Sequence, residues 1–221
     1  MSNTVSNDTY LFQPYVGSEY ATEKSVLKRR LLVLGASHYG EDWDNRDGLL
    51  TQRVIRDYLD PNCRIDRKKK YFTWKPTHSK FYKAIIGDRV GVAIPDLVRS
   101  IVFYNYLQAF EGTDPNDKHP EKFFQKEQRD KNEKCFERLL REQKPDVVIV
   151  WGSNVKNAFP WDLFLDDSRK SCDKQFPSIY HCVLKGSPKM EVDVCFSAHP
   201  SCARRFFGQK PKALFSALNL F

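Results

Sequence analysis

The sequence predicts an α/β protein, a three-layer sandwich around a central, mostly parallel sheet of about four strands. Three observations carry that expectation. Short, wholly apolar runs at Leu31 to Leu34 and Val147 to Trp151 each lead straight into a glycine, Gly35 and Gly152. Such runs fit strands buried on both faces, because a strand with one wet face would alternate. Helix-period segments lie between the runs, so strand and helix alternate along the chain.

The elements follow in order. Residues 1–29 read as an amino-terminal arm without periodicity, with Tyr10, Phe12 and Tyr15 to pin it to the body. Residues 30–221 read as one domain, within reach of a single core. The first strand, Arg30 to Leu34, opens into GASHYGED, a loop of small, polar and ionisable groups. In Leu49 to Leu59, apolar Leu50, Val54, Ile55, Tyr58 and Leu59 recur on one helical face, and Pro61 stops the helix. Arg64 to Lys83 interleaves cations with Tyr71, Phe72, Trp74, Phe81 and Tyr82. Cations can neutralise phosphates while aromatic faces stack on unpaired bases. The same pattern also fits helices whose aromatics face the core and whose lysines are solvated.

A further apolar run from Asp96 to Leu107 contains Asn105, which needs hydrogen-bond partners if buried. Glu111 to Pro120 is a loop by composition. Glu121 to Gln143 is a long polar helix burying Phe123, Phe124, Cys135, Phe136, Leu139 and Leu140, and Pro145 introduces the strand DVVIVWG. Residues 157–190 are irregular, with Trp161 and Phe164 as anchors and a short strand around His181. The last strand, Val192 to Phe196, leads into SAHPS, then Arg204 and Arg205, and an apolar helix to Phe221.

Composition narrows the class. Apolar residues make up 41% and charged residues 29%, ordinary for a globular protein, and no apolar run approaches a membrane span. The polar start MSNTVSNDTY has no hydrophobic signal core, so we expect an intracellular protein, cytoplasmic or nucleoid-associated. The cysteines at 63, 135, 172, 182, 195 and 202 form no CxxC pair, which argues against a disulfide framework and against metal ligation. No metal, no cofactor and no membrane partner are expected. A net charge of +8 favours a polyanionic partner such as nucleic acid.

Open α/β sheets bind ligands at the carboxyl ends of their strands. Three such ends converge here: Gly35 to Asp42, Asn105, and Ala198 to Ser201. His199, held beside the backbone constraint of Pro200 and near a loop carrying acids, suits proton transfer or anion stabilisation.

The ordered set of a strand with GASHYGED, then VFYNYL, then a long helix into KPDVVIVWG, then CFSAHPS resembles the uracil-DNA glycosylase superfamily. The resemblance covers about residues 30 to 215, with the HPS element and PDVVIVWG as its best parts. It implies hydrolysis of the N-glycosidic bond of uracil or another modified base flipped out of DNA, as in base-excision repair. His199 would steady the departing base, and Asn105 would read its polar edge. Gly35, Ala36, His38 and Tyr39 would line the base pocket. Ser201, Arg204 and Arg205, with Lys68, Lys69 and Lys70, would contact the DNA backbone of a duplex or single strand. We expect a monomer.

The loop departs from the family pattern. Ser37 stands where the best-known branch has an acid, and Ala36 where another branch has Glu. Ser37 can orient water but is a poor base unaided, so Glu41, Asp42 or Asp44 would supply the carboxylate, Asp42 first. No cysteine precedes Cys63, which leaves an iron–sulfur cluster unsupported. Two alternatives stay open: a nucleic-acid-binding module on the same fold without chemistry, and a hydrolase with Ser37 as nucleophile and His199 as base. GASHYG lacks both the G-x-S-x-G elbow and the G-x-G-x-x-G spacing, which weighs against a hydrolase elbow and a dinucleotide site.

Overall fold

The computed structural model describes residues 10–41, 45–62, 74–113, 118–166, 170–171 and 178–221. In chain order the strands and helices are β1 (Tyr15–Val16), β2 (Leu31–Gly35), β3 (His38–Tyr39), α1 (Leu50–Leu59), α2 (Trp74–Ile86), α3 (Ile94–Arg99) and β4 (Ile101–Asn105). The second half adds β5 (Phe110–Gly112), α4 (Lys126–Gln143), β6 (Val147–Trp151), α5 (Ser153–Asn157), β7 (Lys170–Ser171), β8 (Ile179–Leu184), β9 (Met190–Ser197), α6 (Ala203–Gly208) and α7 (Pro211–Ser216).

The protein is α/β. One mixed sheet runs β1-β4-β2-β6-β9-β8-β7, and β3 pairs with β5 in a small second sheet. The four central strands β4, β2, β6 and β9 are mutually parallel, as the continuous apolar runs require. Antiparallel β1 on one side and β8 with β7 on the other widen the sheet to seven strands. Two-residue strands such as β1 and β7 carry no period, so sequence patterning does not announce them.

Alternate residues of β2 feed two cores. Leu32 and Leu34 pack with Phe136, Leu139 and Leu140 of α4. Leu31 and Val33 pack with Phe81 and Ile85 of α2, Leu97 of α3 and Phe215 of α7. Helices therefore cover both faces of the sheet, and burying Leu31 to Leu34 completely removes any wet face that would need polar residues. Each fully buried side chain of this kind contributes about 1.5–3 kcal/mol through burial.

Several sequence expectations need correcting. The run from Asp96 splits: Asp96 accepts the Ala93 N–H at 3.3 Å to start α3, and β4 begins only at Ile101. The long helix starts at Lys126, preceded by a 3-10 turn over Pro120–Phe123. That offset buries Phe123 but leaves Phe124 51% exposed. The arm is woven into the body from residue 10 onward. Phe12 is fully buried, Tyr15 lies in β1, and Gln108 Oε1 accepts the N–H groups of Leu11 and Phe12 at 2.9 and 3.0 Å. Phe81 and Tyr82, candidates for base stacking, are wholly buried in the core under α2 and have no face to offer. Residues 63–73, with Lys68, Lys69 and Lys70, lie outside the described residues.

Candidate active site

The parallel strands place their carboxyl ends side by side. Gly35 pairs with Asn105, and Trp151 pairs with Ser197, so the edge from β4 to β9 spans about 14 Å at the usual strand spacing. Gly35 is glycine for a steric reason. A Cβ there would stand 2.2 Å from Asn105 Oδ1 and 2.9 Å from Phe103 Cζ. The Asn105 amide thus lies directly over the Gly35 backbone. Asn105 is 6% exposed, and its side chain makes no hydrogen bond among the described residues.

Beyond Gly35 the chain runs into the small sheet. His38 pairs with Phe110 and Tyr39 with Gly112, and the Gly40 N–H donates to Gly112 O at 3.0 Å. This pairing brings the loop against Glu111, which is 3% exposed. Ser37 Oγ and Tyr39 OH both donate to Glu111 Oε2, the latter at 3.0 Å. Glu111 Oε1 takes no hydrogen bond among the described residues. A buried carboxylate is costly unless hydrogen-bonded, and the two hydroxyls supply that compensation. Burial and the adjacent Glu111 raise the Tyr39 phenol well above its ordinary range.

Glu111 is the carboxylate that sequence reading missed. It sits in a stretch assigned to loop by composition, 74 residues from Ser37. The available signal was an acid flanked by Phe110 and Gly112 just past an apolar run, a pattern with many innocuous occurrences. Of the acids expected instead, Glu41 is exposed, and Asp42 and Asp44 lie outside the described residues.

His38 also takes a different role from the pocket wall assigned to it. It is 7% exposed, its ring packs 4.7 Å from Phe12, and its Nε2 lies 2.8 Å from Thr51 Oγ1. Burial first, then the Arg53 charge, lowers its pKa to about 3. It is a neutral packing residue that ties the loop to α1.

His199 stands at the other end of the edge. Pro200 is buried beside it, and Gly152, at φ +84°, lets the chain pass so close that a Cβ would lie 3.3 Å from His199 Cβ. The ring meets Trp151 edge-on at 5.7 Å. Nδ1 accepts the Ser201 N–H at 3.2 Å and lies 2.7 Å from Ser201 Oγ. An Nδ1 engaged as acceptor puts the proton of the neutral ring on Nε2, which becomes a donor. Burial, with the Lys118 charge behind it, lowers the His199 pKa to about 4, so the imidazole is neutral at physiological pH.

A ring cluster joins the two ends. His78 of α2 is buried, 5.0 Å from Phe103 and 5.4 Å from Trp151. Its Nδ1 lies 3.0 Å from Tyr82 OH, and burial first, then His199 and His38, lowers its pKa to about 3. Sequence reading did not single out His78, because it lies in the middle of a segment dominated by lysines.

Other expected site residues separate by role. Ala36 continues the strand end, its carbonyl accepting the Leu107 N–H at 3.0 Å. Ser201, expected on DNA phosphates, is engaged in orienting His199. Arg204 and Arg205 are exposed on α6 and make no ion pair among the described residues. Ser37 Oγ donates to Glu111 and His199 Nδ1 is engaged by Ser201, so the two form no serine–histidine hydrogen bond among the described residues. Among the described residues no group of three or more His, Cys, Asp or Glu could hold a metal, and no helix is long and apolar enough to cross a membrane. No family model matches the chain, and neither does any curated protein.

Proposed function

We propose that the protein is a uracil-DNA glycosylase-like enzyme that hydrolyses the N-glycosidic bond of uracil or another modified base flipped out of DNA. The observation that carries this reading is the buried Glu111 carboxylate, held through Oε2 by Ser37 and Tyr39 with no partner for Oε1 among the described residues, together with His199 just past the end of β9. Base excision needs an anionic group near a cationic sugar, a water acceptor, and a donor for the departing base. Glu111 meets the first two needs and neutral His199 the third.

In the proposed reaction the bond between the anomeric carbon and the base nitrogen breaks, and its electron pair leaves with the base. His199 Nε2–H donates a hydrogen bond to the negative charge that develops there. A neutral donor is suited to this task, since it stabilises the anion without having to give up a proton. Water adds to the sugar cation as Glu111 Oε1 accepts its proton. Asn105 presents its open amide to the base, offering one donor side and one acceptor side. Tyr39 closes the wall over Glu111. The resemblance in the ordered motifs and the net charge of +8 support a DNA substrate.

The test is release of base from labelled oligonucleotides carrying uracil or other modified bases, with abasic sites cleaved by alkali. Strand breaks on at least one substrate, lost in both Glu111→Gln and His199→Ala, are expected. Binding without breaks on any substrate would leave a nucleic-acid-binding module in place of the enzyme.

A further inference from the structure

A second surface lies between α2 and the end of α6 with the start of α7. Lys80, Lys83 and Ala84 of α2 face Phe207, Lys210, Pro211 and Ala213 across a groove of about 470 Å3. That volume is within the range of ligand sites, roughly 300–1,000 Å3. Phe207 is 57% exposed, while its neighbour Phe206 is fully buried and holds α6 to the core. One lone exposed aromatic would be unremarked. This one stands within a ring of cations.

Among the described residues most of the charges there lack an ion-pair partner. Lys212 is paired with Asp88 at 2.5 Å, but Lys80, Lys83 and Lys210 make no ion pair among the described residues. Arg204 and Arg205, on the same helix as Phe207, are exposed and make no ion pair among the described residues. The lysines at the rim favour an anionic occupant, and Phe207 with the apolar floor favours one that presents flat apolar faces. Single-stranded DNA has both: phosphates for the lysines and a base for Phe207. The aliphatic stems of Lys80 and Lys83 extend the apolar floor while their ammonium groups reach outward.

Position gives the second argument. Cys202 N–H donates to His199 O at 2.9 Å, and α6 starts at the next residue. Six helical residues advance only about 9 Å, so the groove opens about one short helix away from His199. Arg204 stands one turn before Phe207 on α6, on the same side of the helix.

We propose that this groove is a track for single-stranded DNA leaving the candidate active site, with Phe207 as a stacking platform and Lys80, Lys83 and Lys210 as phosphate contacts. The inference rests on the proposed reading of the site as one that acts on DNA. It makes the substrate a strand that is unpaired for several nucleotides to one side of the target base.

The experiment is fluorescence anisotropy on the full chain with labelled 4-nucleotide and 15-nucleotide single strands over a salt series, alongside base release by the unmodified protein. The unmodified protein should bind the longer strand more tightly. Phe207→Ala should weaken that binding by about tenfold, the scale of one stacked base, and Phe207→Trp should restore it. Lys80→Ala, Lys83→Ala and Lys210→Ala combined should flatten the slope of log affinity against log salt by about 2. Circular dichroism melts establish that each variant is folded. Base release together with unchanged long-strand binding in the folded variants would overturn the track and leave the site reading intact. Absence of both DNA binding and base release in the unmodified protein would overturn both. Binding of a poly-glutamate peptide or anionic vesicles at the groove, undisplaced by DNA, would overturn the track in favour of that other occupant.

Discussion

Acidification should destabilise this fold steeply, and the buried histidines set the scale. His38 and His78 are 7% and 4% exposed, and each has its pKa lowered to about 3, chiefly by burial. In the unfolded chain an imidazole titrates near 6.5. A depressed native pKa means that the unfolded state binds the proton first. The stabilisation is therefore complete above about pH 6.5 and is lost progressively as pH falls toward 3. At pH 5 the loss is about 2 kcal/mol per histidine, or about 4 kcal/mol for the pair. That is a large share of the 5–15 kcal/mol typical of a folded domain. Glu133, raised by burial and by Asp162, works in the opposite sense and offsets part of it. Asp146, lowered by its Arg30 partner against the effect of burial, contributes only at more acidic pH. Urea unfolding at pH 7.5 and pH 5, followed by circular dichroism, measures the difference. His199, its pKa lowered to about 4, adds a third contribution of similar size, so His78→Phe should remove about a third of the pH dependence. A change below about 1 kcal/mol between the two pH values, or an undiminished slope in His78→Phe, would refute the reasoning.

Three further outcomes follow from the site. Glu111→Gln should slow single-turnover base release by about 10²–10⁴-fold, the range for losing a positioned general base. Its melting temperature should stay near that of the unmodified protein, because an amide oxygen still accepts from Ser37 and Tyr39. The rate of base release should show no acid limb near 6.5 and should fall only toward pH 4, where His199 protonates; a pH–rate profile with a limb at 6.5 would assign it to another group. Gly35→Ala drives a methyl into Asn105 Oδ1 and Phe103 Cζ, which should cost about 1–3 kcal/mol in chemical unfolding and blunt discrimination between bases.

The central sheet was legible because burial on both faces writes itself as unbroken apolar runs. Leu31 to Leu34 and Val147 to Trp151 could only be strands of a covered sheet once short length and a terminal glycine were taken together. His199 was legible for a related reason, as a polar residue placed just past such a strand. Glu111 was not, because its position depends on a pairing between β3 and β5 that no local pattern encodes. His38 misled for the converse reason. It stands in the polar loop, yet the backbone turns it inward to Thr51 and Phe12. Local sequence identifies which strand ends carry polar groups; long-range pairing decides which of those groups meet.

On the proposed reading, a serine at position 37, where the resembled family's best-known branch has an acid, fits beside Glu111. On the proposed mechanism the chemistry requires one carboxylate close to the water and the sugar, wherever in the chain it originates. An acid at position 37 would sit within a hydrogen bond of Glu111. Two carboxylates that close cannot both stay ionised without a large cost, and the pair would share a proton. Serine avoids the conflict and gives Glu111 a donor in its place. Ser37→Asp alone should therefore slow base release, although it introduces the residue type of the resembled family's best-known branch. Ser37→Asp combined with Glu111→Gln should recover part of the activity lost in Glu111→Gln, because the carboxylate has moved to the other side of the same contact. A Ser37→Asp enzyme faster than the unmodified protein would show that Glu111 is not the working carboxylate.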